Sequence, residues 1–586
     1  MPIRHTALLI AAGAICATPL AAQAIPCGSL AELSASQFPN PKTVIETASA
    51  RPATAAQPAP PGAPPRAATP ALPAHCEVFG RLNDRDGAGG QHYAIRFHMR
   101  LPGAWNGKFF FEGGGGSNGN IGSANGYTQG QQSGGALSLG YAVLSQDSGH
   151  DNGKNNDPQR NGNLTHGLDA QARLDHGYNS YDQATQAAKA LIRLYYGKDP
   201  VRSYFVGCSE GGREAMLMSQ RFPEHFDGIL ACAPGFDLPK SAVLGETWTA
   251  QTLAGLARTM GVYDKDGLPF LNKTFTDEDL ELIANSVLNA CDALDGNADG
   301  IIDNFPACTT ALMSQKLATI TCKGPKRNSC LTRAQVDAFV KIQEGPKTSD
   351  GASLYSDWAW DRAMGGKLTA QGETYNQGWR VWKMGAFDAP ANSAISATMG
   401  ALSAITLFST PPLVTPVAGG APMKALLAID LNSASARLER TTPEYPVSVA
   451  SYFLAASTDL TRFRRHNGKL IIVHGVSDPI FSINDTIRWY KELDAREGGR
   501  ANEFVRLYAV PGMNHCGGGP ATDQFDAFTA LVDWTEKSKA PDRIPATAGP
   551  STPWPGRTRP LCPFPSQARY LGSGSLEEQA NFGCRP

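Results

Sequence analysis

From about residue 77 onward, short apolar runs alternate with amphipathic stretches. KFFFEGGGG (108–116), YAVLSQDSG (141–149), SYFVGCSEGG (203–212) and DGILACAPG (227–235) each hold a continuous apolar core and end in turn residues, which predicts buried strands. DQATQAAKALIRLYYG (182–197) and REAMLMSQRFP (213–223) place apolar residues at helical spacing between them. The rhythm returns in KLIIVHGVSDP (469–479) and NEFVRLYAVPG (502–512). Strand, helix, strand order of this kind predicts an α/β core, a mostly parallel sheet flanked by helices.

Between the two blocks, from 237 to 445, the strand rhythm gives way to helical stretches, glycine-rich turns and four cysteines. This segment reads as a large, mainly helical lid domain inserted between a first core part (77–236) and a second (446–586). Before them, residues 51–73 carry eight prolines in twenty-three positions. That is too many for a helix or central strand, so the N-terminal segment 25–76 contains an extended surface excursion. Cys27 and Cys76 flank it, and a bridge between them would tie its ends together.

The first 24 residues carry Arg4, an apolar run and Ala22-Gln23-Ala24, the pattern of an export signal cleaved after Ala24. The reading is a periplasmic or secreted protein. Ile15 precedes Cys16 where a lipid-attachment site wants a small residue, so no lipid anchor is expected. No later apolar run reaches the roughly 20 residues that span a bilayer. Twelve cysteines become eleven once Cys16 leaves with the signal. Export makes pairing their default, and an odd number leaves at least one free. Cys232, inside the apolar run GILAC, is the candidate. With 52 Lys and Arg against 53 Asp and Glu, the chain has no field to attract a polyanion or an anionic membrane, and nucleic acid is excluded as a partner.

Candidate chemistry centres on Gly207-Cys208-Ser209-Glu210-Gly211, a G-x-S-x-G between an apolar strand and a helix. In such a turn the serine is a nucleophile, and its partners follow in the order acid, then histidine. Asp478, after the strand KLIIVHG, and His515, in the glycine-rich loop after NEFVRLYAV, occupy those places. Cys208 precedes the serine and Cys516 follows the histidine, so a bridge between them would link the nucleophile turn to the histidine loop. An oxyanion needs fixed donors. The amide of Glu210 is the first, and Gly115 or Gly116 in FFFEGGGGSNG is the second. The G-x-G-x-x-G formally present at Gly114, Gly116 and Gly119 lacks an acidic residue about twenty positions on, and is not read as a dinucleotide site. CDALDGNADGIIDNFPAC (291–308) spaces Asp292, Asp295 and Asp299 among glycines, hard oxygen ligands suited to Ca²⁺ in a structural role. A bridge between Cys291 and Cys308 would close the loop.

Taken together, the paired "CS" and "HC", the acid in HGVSDP and the CDALDGNADG loop resemble the tannase and feruloyl esterase family over nearly all of the chain after the signal. The resemblance implies an α/β-hydrolase core with a lid, and a serine carboxylesterase acting on small esters of aromatic acids. It implies Ser209, Asp478 and His515 as a triad with Glu210 and Gly116 as oxyanion donors. Calcium would be held by the side chains of Asp292, Asp295 and Asp299 and the carbonyls of Asn297 and Ile301. It further implies the bridges Cys27 to Cys76, Cys322 to Cys330 and Cys562 to Cys584. Within the family, YNQGWRVWKMGAF, FSTPP, VPGMNHCGGGP and RPLCPFP are similar to terephthalate-monoester hydrolases, which makes that activity the alternative. Trp382 would match an aromatic wall of their acyl pocket, whereas Ile395 stands where they offer an arginine to a free carboxylate. Neutral phenolic or benzoic esters are therefore preferred. A non-catalytic binding protein of the same fold is the third reading, disfavoured because all three triad members are present.

Overall fold

The structure is a computed structural model, and it describes residues 25–57, 69–128, 135–369, 372–375 and 378–586. The export signal read from the sequence, and positions 58–68 of the proline-rich excursion, lie outside the described residues.

Nine strands form one mixed sheet. They are β1 (Thr43–Arg51), β2 (His75–Asp86), β3 (His92–Pro102), β4 (Lys108–Glu112), β5 (Ala142–Gln146), β6 (Arg202–Cys208), β7 (Gly228–Cys232), β10 (Lys469–Gly475) and β11 (Val505–Val510). A separate hairpin, β8 (Lys367–Thr369) and β9 (Gly372–Tyr375), lies in the inserted segment. The sheet order is β1-β2-β3-β5-β4-β6-β7-β10-β11. The first three strands and β5 pair antiparallel, and from β5 to β11 every neighbour is parallel.

The continuous apolar runs follow from burial on both faces. Phe109 and Phe111 of β4 enter one core with Phe205, Ala231 and Ile472, while Phe110 enters the other with Tyr204, Leu230, Ile471 and Tyr508. From β4 the chain goes to β5 on one side and then to β6 on the other. Such a reversal opens a crevice at the carboxyl ends of the strands, where ligands bind in α/β sheets. The loop after β4 and the turn after β6 flank that crevice.

Between β7 and β10 the chain leaves the sheet for a largely helical excursion, with helices at Glu246–Met260, Asp277–Cys291, Thr310–Thr319, Arg333–Gln343 and Leu431–Glu439. Among the described residues there are five disulfides: Cys27–Cys76, Cys208–Cys516, Cys291–Cys308, Cys322–Cys330 and Cys562–Cys584. Cys232 is free and buried. No helix among the described residues is long and apolar enough to cross a membrane.

The β4 loop and the β6 turn meet backbone to backbone. A Cβ on Gly211 would lie 2.6 Å from the Gly114 carbonyl oxygen and 3.1 Å from the Gly113 carbonyl carbon. One on Gly207 would overlap the Gly211 carbonyl. Neither neighbour is a flexible side chain that can swing aside. Gly211→Ala should therefore destabilise the fold by about 1–3 kcal/mol. Gly255→Ala, in the exposed interior of the helix Glu246–Met260 with nothing within 4 Å of the new carbon, should stabilise it by about 0.5–1 kcal/mol. Opposite shifts in the thermal midpoint check the pair.

Candidate active site

Strand β6 delivers Ser209 to the carboxyl end of the sheet, and the helix Glu210–Arg221 begins immediately after it. Ser209 itself has φ 64° and ψ −120°, a conformation costly for a residue with a side chain, which only tightly packed surroundings can impose. Gly207 and Gly211 allow those surroundings to close in.

His515 Nε2 lies 2.8 Å from Ser209 Oγ, and His515 Nδ1 lies 2.7 Å from Asp478 Oδ2. With Nδ1–H donating to Asp478, Nε2 is left to accept from the serine hydroxyl. Asp478 Oδ1 accepts from the amides of Ile480 and Phe481, at 2.9 and 3.0 Å. Full burial alone would raise the Asp478 carboxyl, but attraction to His515 and hydrogen bonding to His474 and His515 hold it well below the usual carboxylate range. His474, whose Nε2 is 3.3 Å from Asp478 Oδ2, was not singled out from the sequence. The signal was there, as the only polar side chain in the run LIIVH. Trp382 and Phe481 stand edge-on to the His515 ring, with centroids at 5.0 and 5.3 Å. The Cys208–Cys516 bridge, with a Cα separation of 6.0 Å, ties the residue before the serine to the residue after the histidine. Cys232 sits beside this bridge with its thiol pushed up by burial, which suppresses the thiolate that would attack it.

The glycine loop is held from behind. Gly115 N donates to Asn118 Oδ1 at 2.9 Å, so its amide is already engaged. Gly116, with φ 64°, lines the cavity beside Ser209, as does Glu210. Glu214 Oε2 accepts from Gly114 N at 3.0 Å, and its Oε1 accepts from Asn118 Nδ2 at 2.9 Å. Glu214 and Asn118 thus lock the glycine loop to the helix that begins after Ser209. Sequence reasoning passed over both, because neither stands in a recognised motif. Burial, followed by repulsion from Glu210, pushes the Glu214 carboxyl up to about 7. Glu210 is itself buried, yet the Arg213 guanidinium 2.6 Å away and His176 keep its carboxyl below the ordinary value.

A cavity of about 280 Å³ opens at Ser209. Its walls include Leu238, Ala242, Trp382, Ile395, Met399, Phe408, Phe453 and Phe481, and no Lys or Arg lines it among the described residues. Ile395 and Trp382 are both in the wall. Trp379, in contrast, is buried against Phe339 at 4.8 Å between ring centroids and does not line the cavity. Four π-helical turns, Asp175–Asn179, Ser241–Gly245, Arg380–Met384 and Ser396–Gly400, supply wall residues His176, Ala242, Trp382, and Ser396 with Met399 and Gly400. Such turns concentrate at functional sites.

Behind His176, His166 Nε2 is 3.0 Å from His176 Nδ1, and His150 stacks on His166 at 3.6 Å. Burial lowers the basicity of all three, of His150 and His166 the most. One nitrogen of each falls within 4.8 Å of the others. His150 is held by stacking alone, for neither of its ring nitrogens makes a hydrogen bond of normal geometry.

In the acidic loop, Asp292 accepts from Gly300 N, Asp295 from Asn297 N and Asp303 N, and Asp299 from Ile301 N. Burial and the mutual repulsion of these carboxylates push Asp295 up to about 6 and raise Asp292 and Asp303. Crowded carboxylates on a glycine-rich turn are the hard oxygen donors that Ca²⁺ takes. Asp303 is an acid of this cluster that the sequence reading left out. Arg559, 2.5 Å from Asp299 Oδ2, partly neutralises the group.

A sequence model of the family described as tannase and feruloyl esterase matches residues 76–585. The chain is 46% identical over 558 residues to the mono(2-hydroxyethyl) terephthalate hydrolase of Piscinibacter sakaiensis, covering 93% of this chain and 89% of that one. It is 28% identical over 517 residues to a probable feruloyl esterase of Arthroderma benhamiae, covering 83% and 81%. Among solved structures, feruloyl esterase B from Aspergillus oryzae superposes with a TM-score of 0.71 at 20% identity over 96% of this chain and 100% of that one. The tannin acyl hydrolase from Aspergillus niger gives 0.62 at 20% identity, over 94% of each chain. These likenesses establish the α/β-hydrolase fold. Matched along almost its whole length, the chain belongs to the tannase and feruloyl esterase family and is a carboxylic ester hydrolase.

Proposed function

We propose that this protein is an exported serine carboxylesterase that hydrolyses uncharged esters of aromatic acids. The observation that carries the reading is the hydrogen-bonded line Asp478, His515, Ser209 opening into a cavity with aromatic walls and no lining Lys or Arg among the described residues.

In the first step Ser209 Oγ attacks the ester carbonyl carbon while His515 Nε2 takes its proton. The carbonyl π electrons move onto oxygen, where the amides of Glu210 and Gly116 stabilise the charge. Collapse expels the alcohol oxygen, which takes the proton back from His515 and leaves an acyl-serine. Water, deprotonated by His515, attacks the acyl carbon, and collapse expels Ser209 Oγ, which takes that proton back from His515 as the acid is released. Asp478 fixes the tautomer and stabilises the imidazolium, for which its low-lying carboxyl is suited.

A terephthalate monoester carries a carboxylate at its far end, as the substrate named for the Piscinibacter relative does. With Ile395 in the wall and no cation lining the cavity among the described residues, such a group would lose a charge-assisted contact. The 46% identity to that relative keeps its activity as the second reading. Export into an oxidising compartment is supported by the five disulfides, with cleavage after Ala24. In the loop, Ca²⁺ would be held by Asp292, Asp295 and Asp299 with the carbonyls of Asn297 and Ile301, Asp303 adding charge. Its contribution would be to neutralise the loop's acids, away from the reaction.

Purified protein should hydrolyse methyl gallate, methyl ferulate or methyl benzoate faster than mono(2-hydroxyethyl) terephthalate, and Ser209→Ala should lower the rate by about 10⁴-fold or more. Turnover that survives in Ser209→Ala, or a preference for the terephthalate monoester, would overturn the corresponding half of the reading. For Glu214, the folded carboxyl titrates near 7 and the unfolded one near 4.5. The folded state therefore holds the extra proton between those values, and stability falls as pH rises through the window. Glu214→Gln should flatten that fall, by up to about 3 kcal/mol at neutral pH, as read from denaturant unfolding at pH 4.5 and 7.5. Chelation with EGTA should lower the thermal midpoint, and added Ca²⁺ should restore it. Asp295→Asn should remove the response, whereas an unchanged midpoint would refute the calcium assignment.

A further inference from the structure

One buried histidine beside the triad has no part in the reaction steps above. His474, near the carboxyl end of β10, is fully buried and does not line the cavity. Its Nε2 lies 3.1 Å from the Phe481 carbonyl oxygen and 3.3 Å from Asp478 Oδ2, and its Nδ1 lies 2.9 Å from Thr486 Oγ1. A carbonyl oxygen only accepts, so Nε2 carries a proton, and the same N–H dipole stands beside the Asp478 carboxylate. These contacts join three consecutive pieces of chain. They are β10 itself, the turn 476–481 that carries the acid, and the first turn of the helix Ile483–Arg496, where Thr486 is buried.

Phe481 closes the circle. Its carbonyl accepts from His474, its amide donates to Asp478 Oδ1, and its ring stands edge-on to His515. Asp478 Oδ1 is thus held by amides of its own turn, while Oδ2, the oxygen that meets His515, has His474 as its second neighbour. A carboxylate anchored through one oxygen can still pivot about that anchor. A fixed dipole at the other oxygen opposes the pivot, which is how supporting groups hold a reacting side chain in place. The next residue, Gly475, packs its bare backbone on the histidine loop, where a Cβ would lie 2.2 Å from the Met513 carbonyl oxygen. His474 therefore stands where the acid's turn and the chain leading to His515 are both referred to the same strand.

We propose that His474 is a positioning residue for the ester hydrolysis: braced by Thr486, it holds the Phe481 carbonyl and Asp478 Oδ2 so that the acid meets His515 in one orientation. This deepens the esterase reading and rests on it. His474 acts through Asp478, so its loss slows the chemical step and leaves the substrate cavity as it was.

The test uses two amide variants that differ in reach. His474→Gln keeps a donor at the distance of Nε2, whereas His474→Asn reaches only as far as Nδ1. On the methyl ester that wild-type protein turns over fastest, His474→Asn should lower kcat by about tenfold or more, the scale of one hydrogen bond to a charged group, with KM unchanged. His474→Gln should keep most of the wild-type kcat, and Thr486→Val should lower it by less than His474→Asn does. In an Asp478→Asn background the change His474→Asn should cost nothing further, because residues that act as a unit lose their effect together. A residue that merely fills space would give equal losses in the Gln and Asn variants, in step with their thermal midpoints, or losses that multiply with that of Asp478→Asn. Either result overturns the proposal, and so does a rise in KM at constant kcat. The proton NMR signal of His515 Nδ1–H reports its bond to Asp478 without any substrate, and it should move in His474→Asn and stay in His474→Gln. A wild type silent on every ester, with that signal still responding to His474, would sink the esterase reading and keep the role of His474. Turnover indifferent to His474 would do the reverse.

Discussion

The site depends on the bare-backbone contact between the loop after β4 and the turn after β6. Gly113 and Gly114 on one side meet Gly207 and Gly211 on the other at distances that admit no side chain. This contact brings the loop that carries Gly116 and the turn that carries Ser209 and Glu210 to the same cavity. The sheet order makes it possible, because β4 and β6 are neighbours although some 90 residues separate them in the chain. The Cys208–Cys516 bridge then fastens the histidine loop to the same turn.

Around this contact the buried acids take different states because their neighbours differ. Asp478 is held ionised by two histidines, Glu210 by Arg213, and Glu214, with Glu210 as a like-charged neighbour, is pushed the other way. Three carboxyls buried in one region would repel each other without such division. The helix Glu210–Arg221 therefore carries its own counter-charge, with Arg213 donating also to the carbonyls of Gly177 and Phe453 and fixing where that helix meets its neighbours.

Much of this was legible in the residue pattern, for reasons that can be stated. The runs KFFFE, SYFVGC and KLIIVHG read as strands because both faces are buried, so nothing polar interrupts them. Ser209, Asp478 and His515 were legible because each follows such a run at its carboxyl end. What escaped was held by contacts between distant segments. Asn118 and Glu214 lie 96 positions apart and look like ordinary polar residues until the fold joins them. Asp303 lay outside the spacing expected of a calcium loop. Trp379 and Trp382 are three residues apart in one motif, yet one packs in the interior on Phe339 and the other faces the cavity. No local rule separates them, since their difference depends on the π-helical turn that contains Trp382.

Those π-helical turns have an evolutionary consequence. Each amounts to one extra residue accommodated within a helix. Loss of that residue would restore ordinary helical winding within the turn and change which side chain it presents to the cavity. At Ser241–Gly245, Arg380–Met384 or Ser396–Gly400, single-residue insertions and deletions would exchange one wall side chain for its neighbour. The sheet, the elbow and the histidine loop would be untouched. A lineage could move between substrates by changes in length as readily as by changes in residue type.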